Sequence, residues 1–186
     1  MRGLLIVNRN ATSMTATVTD LAVRTLAGVL DLDVERTQYR DHARELAAAT
    51  TADLVIVHGG DGSINEVVNG VMSRGEGPAS SAPGGGGPLI GVIPGGGANV
   101  LARALGAPLD AAAAIRQIRE AVEAGRHRTI GLGLADDRYF TFSAGLGWDA
   151  EVVREVDRLR AQGRRESVPL FLRTMVHQYY AGTDRR

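Results

Sequence analysis

The chain has 186 residues with 21 basic and 21 acidic side chains, so its formal net charge is zero and no global field draws it to nucleic acid or an anionic membrane. All 21 basic residues are arginine, and cysteine is absent. These absences exclude thiol nucleophiles, disulfides, cysteine-held metals, lysine Schiff bases and the lysines of P-loops and protein kinases. Any phosphate recognition must rely on backbone amides, arginine or a metal.

The first two-thirds alternates between strand and helix patterns. Residues 3–8 (GLLIVN) form a short continuous apolar run, as in a strand buried on both faces. Residues 15–30 carry Val18, Leu21, Ala22, Thr25, Leu26 and Val29 at helical spacing. A weaker strand at 31–37, an alanine-rich helix at 41–50 and a second buried strand at 53–57 follow. A helix is expected over 61–73, a fourth strand over 89–93, a short helix over 98–105 and an amphipathic helix over 110–124. This βα order implies an α/β fold, a parallel sheet with helices on both faces.

Residues 75–88 (GEGPASSAPGGGGP) are mostly glycine and proline, which suits a flexible surface insertion. They precede a strand, whereas a phosphate loop lies between a strand and a helix. Two strands are expected at 128–134 and 138–143, then amphipathic helices at 149–161 and 169–180. The expected division is one α/β domain over 1–127 and the first part of a second domain over 128–186. No apolar run approaches the roughly 20 residues needed to span a bilayer, and no signal-peptide pattern opens the chain; a cytoplasmic protein is expected.

The chemistry concentrates at strand ends. His58-Gly59-Gly60-Asp61-Gly62-Ser63-Ile64-Asn65-Glu66 follows a buried strand and opens a helix. Ligands of open parallel sheets bind outside the carboxyl ends of the strands. Glycines let the backbone approach a ligand closely, and first-turn amides favour phosphate. Asp61 beside phosphates would hold a cation or take a proton; the alternative is a helix N-cap. Pro94-Gly95-Gly96-Gly97-Ala98-Asn99 repeats the strand–glycine–helix arrangement, so the two glycine clusters are expected to face one another across a crevice. Asn8-Arg9-Asn10-Ala11-Thr12-Ser13 supplies a third, polar loop. His58 is read as a strand-end histidine satisfied by backbone, and His42, His127 and His177 lack metal-ligand spacing. The apolar stripe of Phe171, Met175 and Tyr179 is read as a face to be buried.

These motifs resemble the diacylglycerol kinase catalytic domain, shared by bacterial lipid kinases and by sphingosine and ceramide kinases. GGDGSINEVVNG at 59–70 is similar to its signature, with Ser63 where threonine is usual. PGGGANVLARALG at 94–106 is similar to its second motif, and FSAGLGWDAEVV at 142–153 to the segment entering its C-terminal domain. The resemblance implies ATP and Mg2+ as cofactors and a lipid hydroxyl as acceptor. It implies ATP contacts from Asn8, Arg9, Asn10, Ala11, Thr12, Thr37, Gly59, Gly60, Gly62, Ser63, Ile64, Asn65, Glu66, Gly96 and Gly97. Asp61 would be catalytic, as base or in a magnesium–water network, and Asp149 would be structural or substrate-facing.

Two departures stand out: Arg9 replaces a usual proline, and Gly97 replaces a threonine or serine. The resemblance also implies a β-rich C-terminal domain that supplies lipid contacts and, in bacterial members, a magnesium site and a catalytic aspartate; 1–127 would then be the nucleotide-binding domain and 128–186 the first part of that second domain. The expected function is thus an ATP-dependent lipid kinase, its activity as this chain alone left open. It would work peripherally at the inner membrane face, with no transmembrane segment and no nucleic-acid partner; a homodimer is left open. The alternatives are another kinase with a Gly-Gly-Asp-Gly loop, such as an NAD kinase, or a non-catalytic nucleotide-binding module.

Overall fold

The structure, a computed structural model, describes residues 1–9, 11, 16–73, 87–145, 147–162 and 168–183. Its first unit, Met1–Phe142, is built on β1 (Arg2–Val7), β2 (Asp31–Arg36), β3 (Leu54–Gly59) and β4 (Leu89–Pro94). All pairings are parallel and the strand order is β2-β1-β3-β4. The continuous apolar runs explain the order. β1 and β3 are almost wholly buried and take the centre, while the charged DLDVER sequence of β2 leaves that strand exposed at one edge.

Alternate residues of the central strands feed two cores, as the two-residue period of a strand requires. Leu4, Ile6, Val55 and Val57 pack with Ala43 and Ala47 of α2 (His42–Ala49), with Ile64, Val67, Val68 and Val71 of α3 (Asp61–Met72), and with Leu101 of α4 (Val100–Ala104). On the opposite face, Leu5, Val7, Leu54 and Ile56 pack with Ala22 and Leu26 of α1 (Ala16–Leu26) and with Ala111 and Ile115 of α5 (Ala111–Glu123). Asp110 caps α5, its side chain accepting the Ala113 N–H at 2.8 Å. The chain leaves β1 for β2 on one side and returns to pair β3 on the other. The connections from the carboxyl ends of β1 and β3 therefore diverge, the topology that opens a ligand crevice.

Two expected boundaries move. The helix over 15–30 stops at Leu26, and the turn containing Gly28 returns Leu30 to the core. The strands expected at 128–134 and 138–143 shrink to a hairpin, β5 (Gly133–Ala135) and β6 (Arg138–Phe140). Glycines at 131 and 133 offer no side chains to extend the ladder. The hairpin belongs to the first unit, so the division falls after it. The second unit, Ser143–Arg186, contains α6 (Trp148–Ala161) and α7 (Val168–Thr183). Val152 and Val156 of α6 are buried, whereas Val153 faces solvent, as do Leu172 and Val176 of α7. An Arg158–Glu155 pair at 2.6 Å joins adjacent turns of α6. Residues 74–86, which hold most of the expected insertion, lie outside the described residues.

Gly70 is where α2 and α3 come closest. A Cβ there would run into the Arg44 carbonyl oxygen and lie 2.8 Å from the Ala47 Cβ. Gly70→Ala is expected to destabilise the fold by about 1–3 kcal/mol, the usual cost of overpacking a fixed interface. A urea titration checks this: the midpoint should fall while the slope stays unchanged.

Candidate functional site

Three of the four strands deliver small or polar loops to one edge of the sheet. After β1, the Asn8 N–H donates to the His58 carbonyl at 2.9 Å, extending the ladder by one residue. The Asn8 Nδ2 donates to the Ser63 Oγ at 2.6 Å, fastening this loop to the first turn of α3. The Ala11 N–H donates to the Asn8 carbonyl at 2.9 Å, and Arg9 lies in the turn so made. Arg9 is exposed at the second position of that turn, the position proline favours. After β2, the Thr37 N–H donates to the Val7 carbonyl at 3.0 Å, and the residue is buried.

The glycine clusters after β3 and β4 pack directly against each other, backbone on backbone. The Gly95 N–H donates to the Gly59 carbonyl at 2.8 Å. A Cβ on Gly96 would sit 2.7 Å from the Gly60 Cα, and one on Gly60 would sit 3.2 Å from the Gly96 Cα. These glycines are required by close approach; their backbone dihedrals are not left-handed.

Asp61 is the first residue of α3, and Gly60 holds the N-cap position. The carboxylate of Asp61 turns to α4: Oδ2 accepts the Val100 N–H at 3.0 Å and Oδ1 the Leu101 N–H at 3.1 Å. Asp61 is therefore not the N-cap of its own helix, as the alternative had it, and its carboxylate secures the start of the neighbouring one. Each oxygen keeps lone-pair capacity for a cation, a water or a proton.

The other polar residues of the signature also reach outward from α3. The half-buried Glu66 carboxylate lies beside the backbone of Asp41 and Ala43, at the start of α2, whose amides favour its charged form. Burial raises its carboxyl above the ordinary range, and the Asp41 charge adds to the rise; those amides and the Arg40 guanidinium act in the opposite direction. Asn65 donates through Nδ2 to the Tyr139 carbonyl at 3.0 Å. Asn69 donates to the same carbonyl at 2.9 Å and accepts the Tyr139 N–H at 2.9 Å. Its amide thereby imitates a neighbouring strand and docks β6 on α3. Ile64 is fully buried and its N–H donates to the Gly60 carbonyl at 3.2 Å. Its side chain packs in the core beneath the loop.

The structure therefore brings Asn8, Ala11, Gly59, Gly60, Asp61, Ser63 and Gly96 together. It directs Asn65 to the hairpin and Glu66 to α2. Asn10, Thr12 and the Asp149 side chain lie outside the described residues. Asn69 and Asn99 were missed as organising residues. For Asn69 the sequence signal is a polar residue one turn beyond Asn65, within the otherwise apolar second half of the helix, VVNGVM.

For magnesium, the described residues contain no group of three acidic or histidine ligands, so they form no all-protein cage. One carboxylate at the edge of a phosphate site nonetheless fits a cation held mostly by phosphates and water, the usual manner of magnesium.

Similarity to known proteins follows the same residues. The diacylglycerol kinase catalytic domain matches residues 2–131. The chain is 40% identical over 115 residues to a diacylglycerol kinase of Bacillus subtilis, covering 62% of this chain and 34% of that protein. It is 37% identical over 103 residues to one of Staphylococcus carnosus, covering 55% and 29%. A crystal structure of a diacylglycerol kinase from Bacillus anthracis superposes with a TM-score of 0.61 at 29% identity, over 75% of this chain and 45% of that one. A second structure from the same organism, described as a putative diacylglycerol kinase, gives 0.54 at 32% identity, over 64% and 41%. The chain spans about a third of the length of the curated relatives it matches.

His58 lies under the glycine loop, 1% exposed, and burial holds its imidazole below the ordinary 6.5. The unfolded chain takes up this proton more readily than the folded one, so stability rises with pH. His58 is expected to contribute stability above pH 6.5 that declines as pH falls toward its folded value. Urea midpoints of wild type and His58→Gln across pH 5 to 8 (about that range) check this. The difference between the curves should shrink toward acid and stay flat above neutrality.

Proposed function

Because the chain belongs to the diacylglycerol kinase catalytic domain family, we propose that it forms the nucleotide-binding part of an ATP-dependent kinase that phosphorylates a hydroxyl of diacylglycerol or a similar lipid. The observation carrying this reading is the joined pair of glycine loops at the carboxyl edge of a parallel sheet, with the first turn of α3 opening from one of them. Backbone amides of Gly60, Gly62 and Ser63 would receive phosphate oxygens, helped by the positive end of the α3 dipole. Gly97 would add its amide from the second loop, and Gly96, whose N–H is held by Asn99, would border the phosphates through its bare backbone. Arg9 would bring the positive charge that lysine supplies in other kinases. Asn8 would hold the Ser63 hydroxyl toward the same place. Thr37 and the segment that Glu66 braces would border the nucleoside. Asn65, being engaged with Tyr139, would act by fixing the helix.

In the reaction the acceptor oxygen attacks the γ-phosphorus, the bond to the β-phosphate oxygen breaks, and ADP leaves. The acceptor proton passes to a carboxylate. Asp61 is this chain's candidate for that role, or for a water-mediated contact to magnesium, through lone pairs not used by Val100 and Leu101. Magnesium, when bound, neutralises charge on the transferring phosphates. The residues of the site contribute mainly by positioning donors before the reaction, which removes reorganisation from the barrier. A lipid acceptor would bring the protein to a membrane surface. No described helix is long and apolar enough to cross one.

The test is incubation with γ-labelled ATP, magnesium and vesicles containing diacylglycerol, with parallel reactions containing NAD. Label in the lipid and none in NAD is expected. Label in NAD, or failure of the chain to bind ATP, would overturn the proposal. ATP binding without transfer, persisting in the longer protein carrying the family's full length, would leave a nucleotide-binding module instead of a kinase.

A further inference from the structure

Helix α4 has its N-terminus capped from another element. The residue in its N-cap position, Asn99, makes no side-chain cap to α4 and has left-handed dihedrals of 49° and 49°. Its amide turns back on the loop: Oδ1 accepts the Gly96 N–H at 2.9 Å and Nδ2 donates to the Gly96 carbonyl at 2.7 Å. The side chain is buried, with the residue 8% exposed. The cap that Asn99 withholds comes from Asp61, whose two oxygens take the Val100 and Leu101 N–H groups. Gly96 is the residue that meets Gly60 at the contact where no Cβ fits.

We infer that Asn99 is a positioning residue for nucleotide binding. With Asp61 it forms a latch that seats Gly96 on Gly60 and keeps the donors of both glycine loops in one fixed row. The inference rests on the nucleotide reading above and assigns Asn99 no contact with ligand. Left-handed backbone is uncommon outside glycine, and asparagine is among the residues that tolerate it best. Asn99 meets that conformational demand while its amide holds both polar groups of Gly96. Glycine could meet the first requirement but not the second.

The experiment is equilibrium binding of ATP with magnesium to the 186-residue chain as wild type, Asn99→Gly, Asn99→Asp, Asp61→Asn and the Asn99→Gly/Asp61→Asn double variant. Thermal unfolding and amide exchange are followed alongside. Asn99→Gly keeps the left-handed conformation and removes both bonds to Gly96. It is expected to weaken ATP binding about tenfold, the order of a lost hydrogen-bonded constraint. The Gly96 amide should lose exchange protection. Asn99→Asp retains an acceptor for the Gly96 N–H and should lose less affinity. Asp61→Asn should expose the Val100 or Leu101 amide. The double variant should bind little worse than the weaker single variant, because both residues serve one latch; independent contributions would multiply.

Unchanged ATP affinity in a folded Asn99→Gly chain, with only its unfolding temperature lowered, would overturn the inference. So would multiplicative losses in the double variant. Absence of ATP binding by wild type would overturn the nucleotide reading and this inference with it. That result is distinct from a wild type that binds ATP and an Asn99→Gly chain that binds it equally well.

Discussion

No side chain fits between Gly60 and Gly96, and the rest of the site depends on that contact. Two strand-to-helix loops reach the same edge of a parallel sheet, and each could have stood free in solvent. Instead the Gly95 N–H continues the pairing of β3 and β4 past the end of the sheet, and the next residues stack backbone on backbone. The result is a polypeptide surface with little side-chain cover, on which a polyanion can meet amides at short range. Such a surface needs no lysine, which agrees with a chain that contains none.

Helix α3 organises the elements around this surface. From its first turn, Ser63 receives Asn8 of the β1 loop and Asp61 secures the start of α4. Glu66 braces the start of α2, and Asn65 with Asn69 holds the β5–β6 hairpin. Gly70 then lets α2 lie against the helix. Residues of the GGDGSINEVVNG stretch that invite assignment to a ligand are thus largely engaged in holding neighbours, while the amides of the same stretch face the phosphate position proposed for them. One helix can serve both ends because its side chains radiate and its unpaired N–H groups all lie at its N-terminus. Holding the surroundings rigid is itself a contribution to catalysis where positioning supplies most of the rate.

The sheet was legible in the sequence because β1 and β3 are unbroken apolar runs, bounded by polar residues or glycine and buried on both faces. The two glycine loops were legible as strand-end features for the same reason. What each polar side chain grips was not. Asp61 reaches partners 39 and 40 residues away, and Asn69 reaches Tyr139 across 70, contacts that no local spacing encodes. Nor was the direct contact that the lack of side chains allows between the facing glycine clusters. The hairpin was overextended because Arg128 to Ser143 contains strand-forming residues, but its pairing is confined to three residues a side.

In the proposed function, backbone amides bind the nucleotide while the signature side chains hold the frame. The most direct measurement is a crystal structure of the chain with magnesium and a non-hydrolysable ATP analogue. Phosphate oxygens are expected on the amides of Gly60, Gly62 and Ser63. Asp61 is expected still to accept the Val100 and Leu101 N–H groups, and Gly60 to remain seated on Gly96. A structure in which Asp61 leaves α4 for the ligand, or in which the two glycine loops part to admit it, would contradict the account.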